Sequence, residues 1–324
     1  MMRNTYSHNG MFVATSTPRK EWRVIRKTLC IDSRDRNIQS DMQHPGDYYV
    51  TLPAVYKNVR AITLKSYEIP MSFLTFTRCQ GNTEFNININ GSTYQLLIDD
   101  GNYPIQDLLT DLQTKLNTLS EGTFTLTQLV GSNKVVITNS TANVFTLLPQ
   151  SAATSTNCGE QLPFDRQIEY GLPYYLGFLN KPYVSSGSGT ITLEGTTYSN
   201  YIIGDIQAVG DPTTYIMMEL EGLNKLDETY LEGKKSGNVD GAFAKIIVDG
   251  NSGDYLFFTD TGTNPLNRRV YSPPISKLDK LHIKFRRHDG RTIDFNGGEH
   301  SFTLELEILD NNFDEFSSLE FSRY

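Results

Sequence analysis

The 324-residue chain holds only three cysteines, Cys30, Cys79 and Cys158, and a single tryptophan, Trp22. An odd cysteine count at wide spacing argues against a disulfide framework or a zinc site, and buried small apolar side chains are the default reading for all three. No window approaches 18 uninterrupted apolar residues, so no helical membrane span is expected. The first ten residues are polar and lack the apolar core of a secretory signal, which points to synthesis in a reducing compartment. No P-loop and no GxGxxG is present, so glycine pairs such as Gly297-Gly298 are read as turn formers and not as phosphate cradles.

What the chain does have is aromatic and turn-forming residues. It carries 18 Tyr, 17 Phe and 25 Gly, and its aromatic share of 11% is too high for an intrinsically disordered chain. That composition suits β-strands joined by many turns. The net charge of −8 is uneven. Residues 1–36 hold eight Lys/Arg against three acids, net +5, and the remainder holds 21 against 34, net −13. The chain therefore reads as an acidic body with a basic N-terminal segment, able to meet nucleic acid or an acidic protein surface.

Strand-like alternation is clearest over Val59–Ile69, Phe85–Asn90, residues 278–287 and residues 301–309. Leu108, Leu109, Leu112 and Leu116 fall at helical spacing, with Pro104 at the expected helix start, Asn102 as a nearby cap and Gly122 at the end. Two hairpins flank that helix and make a compact α+β module. These features predict a mainly β protein: a jelly-roll-like antiparallel sandwich with an inserted small α+β module and extended terminal arms. The expected divisions are a basic arm over 1–26, a body over 27–80 plus 180–309, the insert and a linker over 81–179, and an acidic aromatic tail over 310–324.

Candidate chemistry is thin. His282 and His288 are six residues apart, too far on a strand for one metal or one proton relay. Asp289, Asp294, Glu299 and His300 are the residues a hydrolase would have to use, but a lone Glu-His pair is no metal signature. Asp99-Asp100-Gly101-Asn102 lacks the alternating ligands and terminal Glu of a calcium loop. No catalytic, cofactor or metal residue is assigned, and no cofactor is expected. The candidate contact residues lie at the two ends. Arg19, Lys20, Trp22, Arg23, Arg26 and Lys27 form the basic arm, and Phe313, Phe316 and Phe321 alternate with acids in the tail. A tail of exposed aromatics suits a clasp on a neighbouring subunit.

A series of short motifs carries a resemblance. In order these are Ile31-Asp-Ser-Arg-Asp-Arg36, Tyr48-x-Val-x-Leu-Pro53, Tyr56-Lys-Asn-Val59 and Ser66-Tyr-Glu-Ile-Pro70. Asp100-Gly-Asn-Tyr103, Leu176-Gly-Phe178 and Leu278-Asp-Lys-Leu281 follow, and Asp289-Gly-Arg-x-x-Asp-Phe-Asn-Gly-x-Glu-His-Ser-Phe302 closes the series. Spread over residues 28–309, the series resembles the minor capsid proteins of nucleocytoplasmic large DNA viruses, the chlorella-virus and giant-virus group. The resemblance implies a non-enzymatic virion component that joins or cements capsomers, assembled in the host cytoplasm. It implies as partners the major capsid protein and other minor capsid proteins. Self-association stays open, nucleic acid is disfavoured, and nothing indicates contact with an internal membrane. The alternatives are a vertex (penton) protein of the same capsid, a host-attachment or carbohydrate-binding jelly roll reading sugars through the Tyr-rich 170–201 segment, and the hydrolase above.

Overall fold

The computed structural model describes residues 5–6, 12–13, 23–37, 44–141, 143–150, 171–185, 190–209, 213–226, 241–260, 268–288 and 290–310. Short strands β1 (Thr5–Tyr6) and β2 (Phe12–Val13) pair with each other. Three long strands follow: β3 (Arg23–Asp32), β4 (Asp47–Tyr56) and β5 (Val59–Pro70). A second group comprises β6 (Glu84–Ile89), β7 (Ser92–Leu97), helix α1 (Ile105–Asn117), β8 (Phe124–Gln128), β9 (Val135–Asn139), β10 (Phe145–Leu147) and the short helix α2 (Leu172–Tyr175). It continues through β11 (Tyr183–Val184), β12 (Ile191–Leu193), β13 (Thr196–Tyr198) and β14 (Asn200–Ile203). The chain then returns to long pairings with β15 (Tyr215–Leu220), β16 (Ala244–Ile247), β17 (Tyr255–Thr259), β18 (Arg268–Ile275), β19 (Leu278–Arg286) and β20 (Ser301–Asp310).

The long strands make two antiparallel sheets. One has the order β17-β5-β20-β3, with β18 also on β5, and the other has the order β16-β15-β19-β4. The pairings nest. β3 pairs with β20, β4 with β19, β5 with β17 and β18, and β15 with β16. First pairs with last, second with next to last, and so inward. That is a long hairpin rolled into two facing sheets, the jelly roll expected from the sequence. One buried cluster fills the space between the sheets, built from alternate residues such as Leu29, Val50, Leu64, Met218, Phe285 and Leu304.

The insert enters after β5 and leaves before β15. Its sheets have the orders β11-β10-β6-β7 and β14-β9-β8, and α1 packs on them. It has its own core, in which Leu108, Leu109, Leu112 and Leu116 of α1 meet Phe85, Phe124 and Phe145. Asn90 and Gly91, both at positive φ, turn β6 into β7.

Several expectations need correction. Residues 183–203 were expected in the body, yet β11 pairs with β10 and β14 with β9, both strands of the insert. α1 starts after Pro104, with no side-chain cap, and stops at Asn117, before Gly122. Asn102 does not cap it. Its amide accepts from the Thr75 N–H at 2.6 Å and donates to the Phe73 carbonyl and Ser252 Oγ, holding the incoming chain against the body. Cys79 is disulfide-bonded and Cys30 is free and exposed, so neither is the buried thiol expected. Residues 23–26, expected in a loose arm, open β3 and pair with Glu307–Asp310. Among the described residues no helix is long and apolar enough to cross a membrane.

Leu304 is fully buried at the centre of the sandwich. Leu304→Ala is expected to cost about 2–5 kcal/mol in urea unfolding, the range for a buried leucine whose cavity cannot collapse. A loss under 1 kcal/mol would mean that the two sheets do not share that core.

Candidate functional site

Three of the four residues a hydrolase would need, Asp294, Glu299 and His300, are engaged in structural contacts. His300, 3% exposed, sits among the rings of Tyr48, Phe285, Phe295 and Phe302. Its Nε2 lies 2.8 Å from the Pro45 carbonyl, an acceptor, so Nε2 carries the proton and donates it. Burial lowers its pKa to about 4. The His300 N–H also donates to Ser33 Oγ at 2.9 Å, and the Ser33 N–H donates to the His300 carbonyl at 2.9 Å. Glu299 accepts from Arg36 and from Ser33. Burial pushes its pKa up, but those two donors outweigh it and hold the carboxyl below its usual range. Asp294 caps a turn by accepting from the Asn296 N–H at 2.8 Å. Asp289 lies outside the described residues. His300 is thus a neutral pin between the end of β3 and the start of β20.

His282 is held just as firmly. Its Nε2 is 2.6 Å from Asp47 Oδ1, its Nδ1 meets Glu221, and Tyr49 stacks on the ring at a centroid distance of 3.8 Å. Both ring nitrogens are engaged by carboxylates, which fixes the ring across the sheet. His288 is paired through Nδ1 with the Tyr215 hydroxyl at 2.6 Å. Asp100 accepts from the Arg78 N–H at 3.0 Å. Among the described residues no cluster of His, Cys, Asp and Glu could hold a metal ion. In the Tyr-rich segment, Tyr175 packs on Phe76 and meets Asn82, and Tyr183 donates to Asp205, so both serve the insert's own packing.

A cavity of about 520 Å³ lies where the body meets the insert, lined among others by His44, Gln80, Asp100, Arg287, Arg291 and Asp294. Its cations brace the crossing backbone. Arg287 donates to the Leu74 carbonyl at 2.8 Å and Arg291 to that of Gln80 at 3.3 Å.

The remaining candidates are surfaces. The outer face of the β19 sheet carries interleaved charges, with Arg286 against Glu219 at 3.1 Å and Lys284 against Asp47 at 3.9 Å. The other sheet carries a second row across three strands. Arg26 of β3 faces Glu305 and Glu307 of β20, and Glu307 also binds Arg268 of β18 at 2.6 Å. The Arg268 hydrogen bond, ahead of all other influences, holds the Glu307 carboxyl below its usual range. Of the sequence-predicted contact residues, Arg23, Arg26 and Lys27 stand exposed on β3 at the sheet edge. Arg19, Lys20, Trp22, Phe313, Phe316 and Phe321 lie outside the described residues. One surface was not anticipated. At the opposite edge of the same sheet, Tyr255 and Phe257 of β17 stand 53% and 72% exposed, stacked at 5.9 Å. The alternation in Tyr255–Thr259 was the only signal for it, and alternation alone does not say which face meets solvent.

No protein-family model matches the chain. Over 106 residues, 32% of its length, it is 32% identical to the penton capsid protein P1 of Paramecium bursaria Chlorella virus 1. The match spans 60% of that protein's own length. Among solved structures, the mavirus penton protein overlaps 89% of this chain and 100% of its own at a TM-score of 0.44 and 8% identity. The Sputnik virophage structure overlaps 90% of this chain and 99% of its own at a TM-score of 0.39 and 12% identity. Both structural overlaps are loose, and the jelly roll rests on the chain's own strand pairing.

The His300 pin has a pH signature. Unfolded, the ring takes its proton near pH 6.5, whereas folded it stays neutral down to about 4. The unfolded state therefore binds more protons in that window, and stability falls as pH drops from 6.5 to 4, by on the order of 3 kcal/mol. In urea titrations across that window, His300→Gln is expected to show a shallower loss. An equal slope in both proteins would contradict the assignment of a buried neutral ring. The sequence match itself is to a capsid protein of a large DNA virus, from the group whose capsid proteins the ordered motifs resembled.

Proposed function

We propose that the chain is a structural, non-enzymatic component of the icosahedral shell of a large DNA virus, seated at its vertices as a penton-type protein. The sequence match to a penton capsid protein carries this reading. The jelly-roll body supports it, since that architecture recurs in viral capsids. So does the engagement of His282, His300, Glu299 and Asp294 in structural contacts. The capsomer-cementing role that the motifs also allow is the second reading, and no observation favours it over the vertex.

In this reading the partners are other capsid components, the location is the virion, and assembly takes place in the host cytoplasm. Contacts are made through the segments beyond the sandwich: Arg19, Lys20 and Trp22 ahead of β3, and Phe313, Phe316 and Phe321 after β20. Arg23, Arg26 and Lys27 contribute from the sheet edge. Several small linked contacts of this kind sum to a stable lattice even where each alone is weak.

Immunogold labelling of particles tests the position. Label confined to vertices is expected, and label spread over the faces would move the chain to the cementing reading. Deleting residues 1–22 removes β1 and β2 but spares β3, and is expected to leave the truncated chain folded by circular dichroism while reducing incorporation into particles. Unfolding of the truncated chain, or undiminished incorporation, would remove the arm from the account.

A further inference from the structure

The edges of the sandwich are not alike. An unpaired strand edge invites another strand, and folded proteins guard it with charge or proline. β3 carries exposed Arg23, Arg26 and Lys27. β18 carries Pro273 and Pro274, β4 carries Pro53, and β16 carries exposed Lys245. β17 has neither a charged residue nor a proline within Tyr255–Thr259. Its inner edge is paired with Ser66–Pro70 of β5, and among the described residues no strand pairs along its outer edge. On its solvent face it shows the stacked Tyr255–Phe257 pair. Glu68, which is Phe257's register partner, stands exposed on the same face and adds a negative charge beside the pair.

We propose that the β17 edge is a docking site for residues 14–22, the stretch between the β1–β2 pair and β3, of a second copy of this chain, added as an extra strand. The segment matches the site in chemistry. It carries Arg19 and Lys20 against the single acid Glu21, and it ends in Trp22. Backbone pairing supplies the edge contact, cations over Tyr255 and Phe257 supply cation–π attraction, and Glu68 supplies the opposite charge. The acidic residues 311–324 are the wrong sign for this surface.

A second copy fits better than the chain's own segment. Arg23, where the segment joins the sheet, pairs with Asp310, beside the Val59 end of β5. β17 pairs with the Pro70 end of β5. At about 3.3 Å per residue the two points lie roughly 30 Å apart along the strands, with β20 and β5 between them, and nine extended residues span only about that distance, which leaves none to pair along β17 of the same copy. An arm leaving one edge for the far edge of the next copy is a head-to-tail contact, which closes into a ring when the rotation allows.

The proposal deepens the capsid reading by naming a partner for the arm, but its test needs no other virion component. Sedimentation velocity of the full chain over a concentration series at low and at high salt is the measurement. Concentration-dependent association that weakens with salt is expected. Phe257→Lys places a guard on the edge and is expected to weaken that association by about tenfold or more, as loss of a central aromatic contact does. Phe257 is largely solvent-exposed, so the fold should survive, as circular dichroism would confirm. Val270→Lys, at an exposed position on neighbouring β18, is expected to change nothing. A synthetic peptide of residues 14–22 is expected to dissociate the oligomer. Association that persists unchanged in Phe257→Lys, or a chain that is monomeric throughout, would overturn the proposal. A monomer whose arm crosslinks to its own β17 would overturn the exchange between copies. Either failure leaves the vertex labelling result untouched, and label on the faces would leave the peptide result untouched.

Discussion

The sandwich depends on β20, whose ten residues pair with β3 along their whole length, and with β5 over Ser301–Ile308 on the other side. Phe302, Leu304 and Leu306 point into the core while Thr303 and Glu305 point out. A slip of one residue would bury the glutamate and expose the three apolar chains, so the alternation sets the register. His300 locks the start of this strand to Ser33 and Pro45 at the end of β3 and the loop beyond it. The neighbouring strands then fall into nested pairs. The rest of the molecule is free to vary outside that frame, which is how an insert with its own core fits between β5 and β15.

Nested pairing also leaves each sheet with two open edges, since a jelly roll does not close into a barrel. The chain treats those edges differently. Arginine and lysine guard β3, prolines guard β18 and β4, and β17 is left apolar and aromatic. A lone soluble protein would gain from guarding every edge. An unguarded edge is a place where a second strand can add. The same contrast links the fold to a shell-building role without calling on any reactive group.

Sequence alternation made the long strands legible, because each has one face in the core. β6, β19 and β20 show it plainly, and the leucine spacing marked α1 equally well. The far boundary of the insert was not legible. β11 and β14 are short, and nothing in so few residues says whether their partners are β10 and β9 or body strands. The start of β3 was misread because edge-strand residues are exposed on one side, so Arg23, Arg26 and Lys27 look like a solvated arm. The Cys79 disulfide was hidden by the odd cysteine count. The exposed pair Tyr255 and Phe257 was hidden because aromatic residues in a strand ordinarily face a core. The contact residues proposed at the two ends rest on charge and composition, and on the fact that β3 and β20 bring those ends to the same corner of one sheet.

The central claim is that this jelly roll builds the shell at its vertices. A five-fold-averaged cryo-EM reconstruction of the particle tests it most directly. The account predicts, around each five-fold axis, a two-sheet sandwich with the α1-bearing insert projecting from it, repeated as a ring. Vertex density of a different fold, with this sandwich absent from the shell, would contradict it.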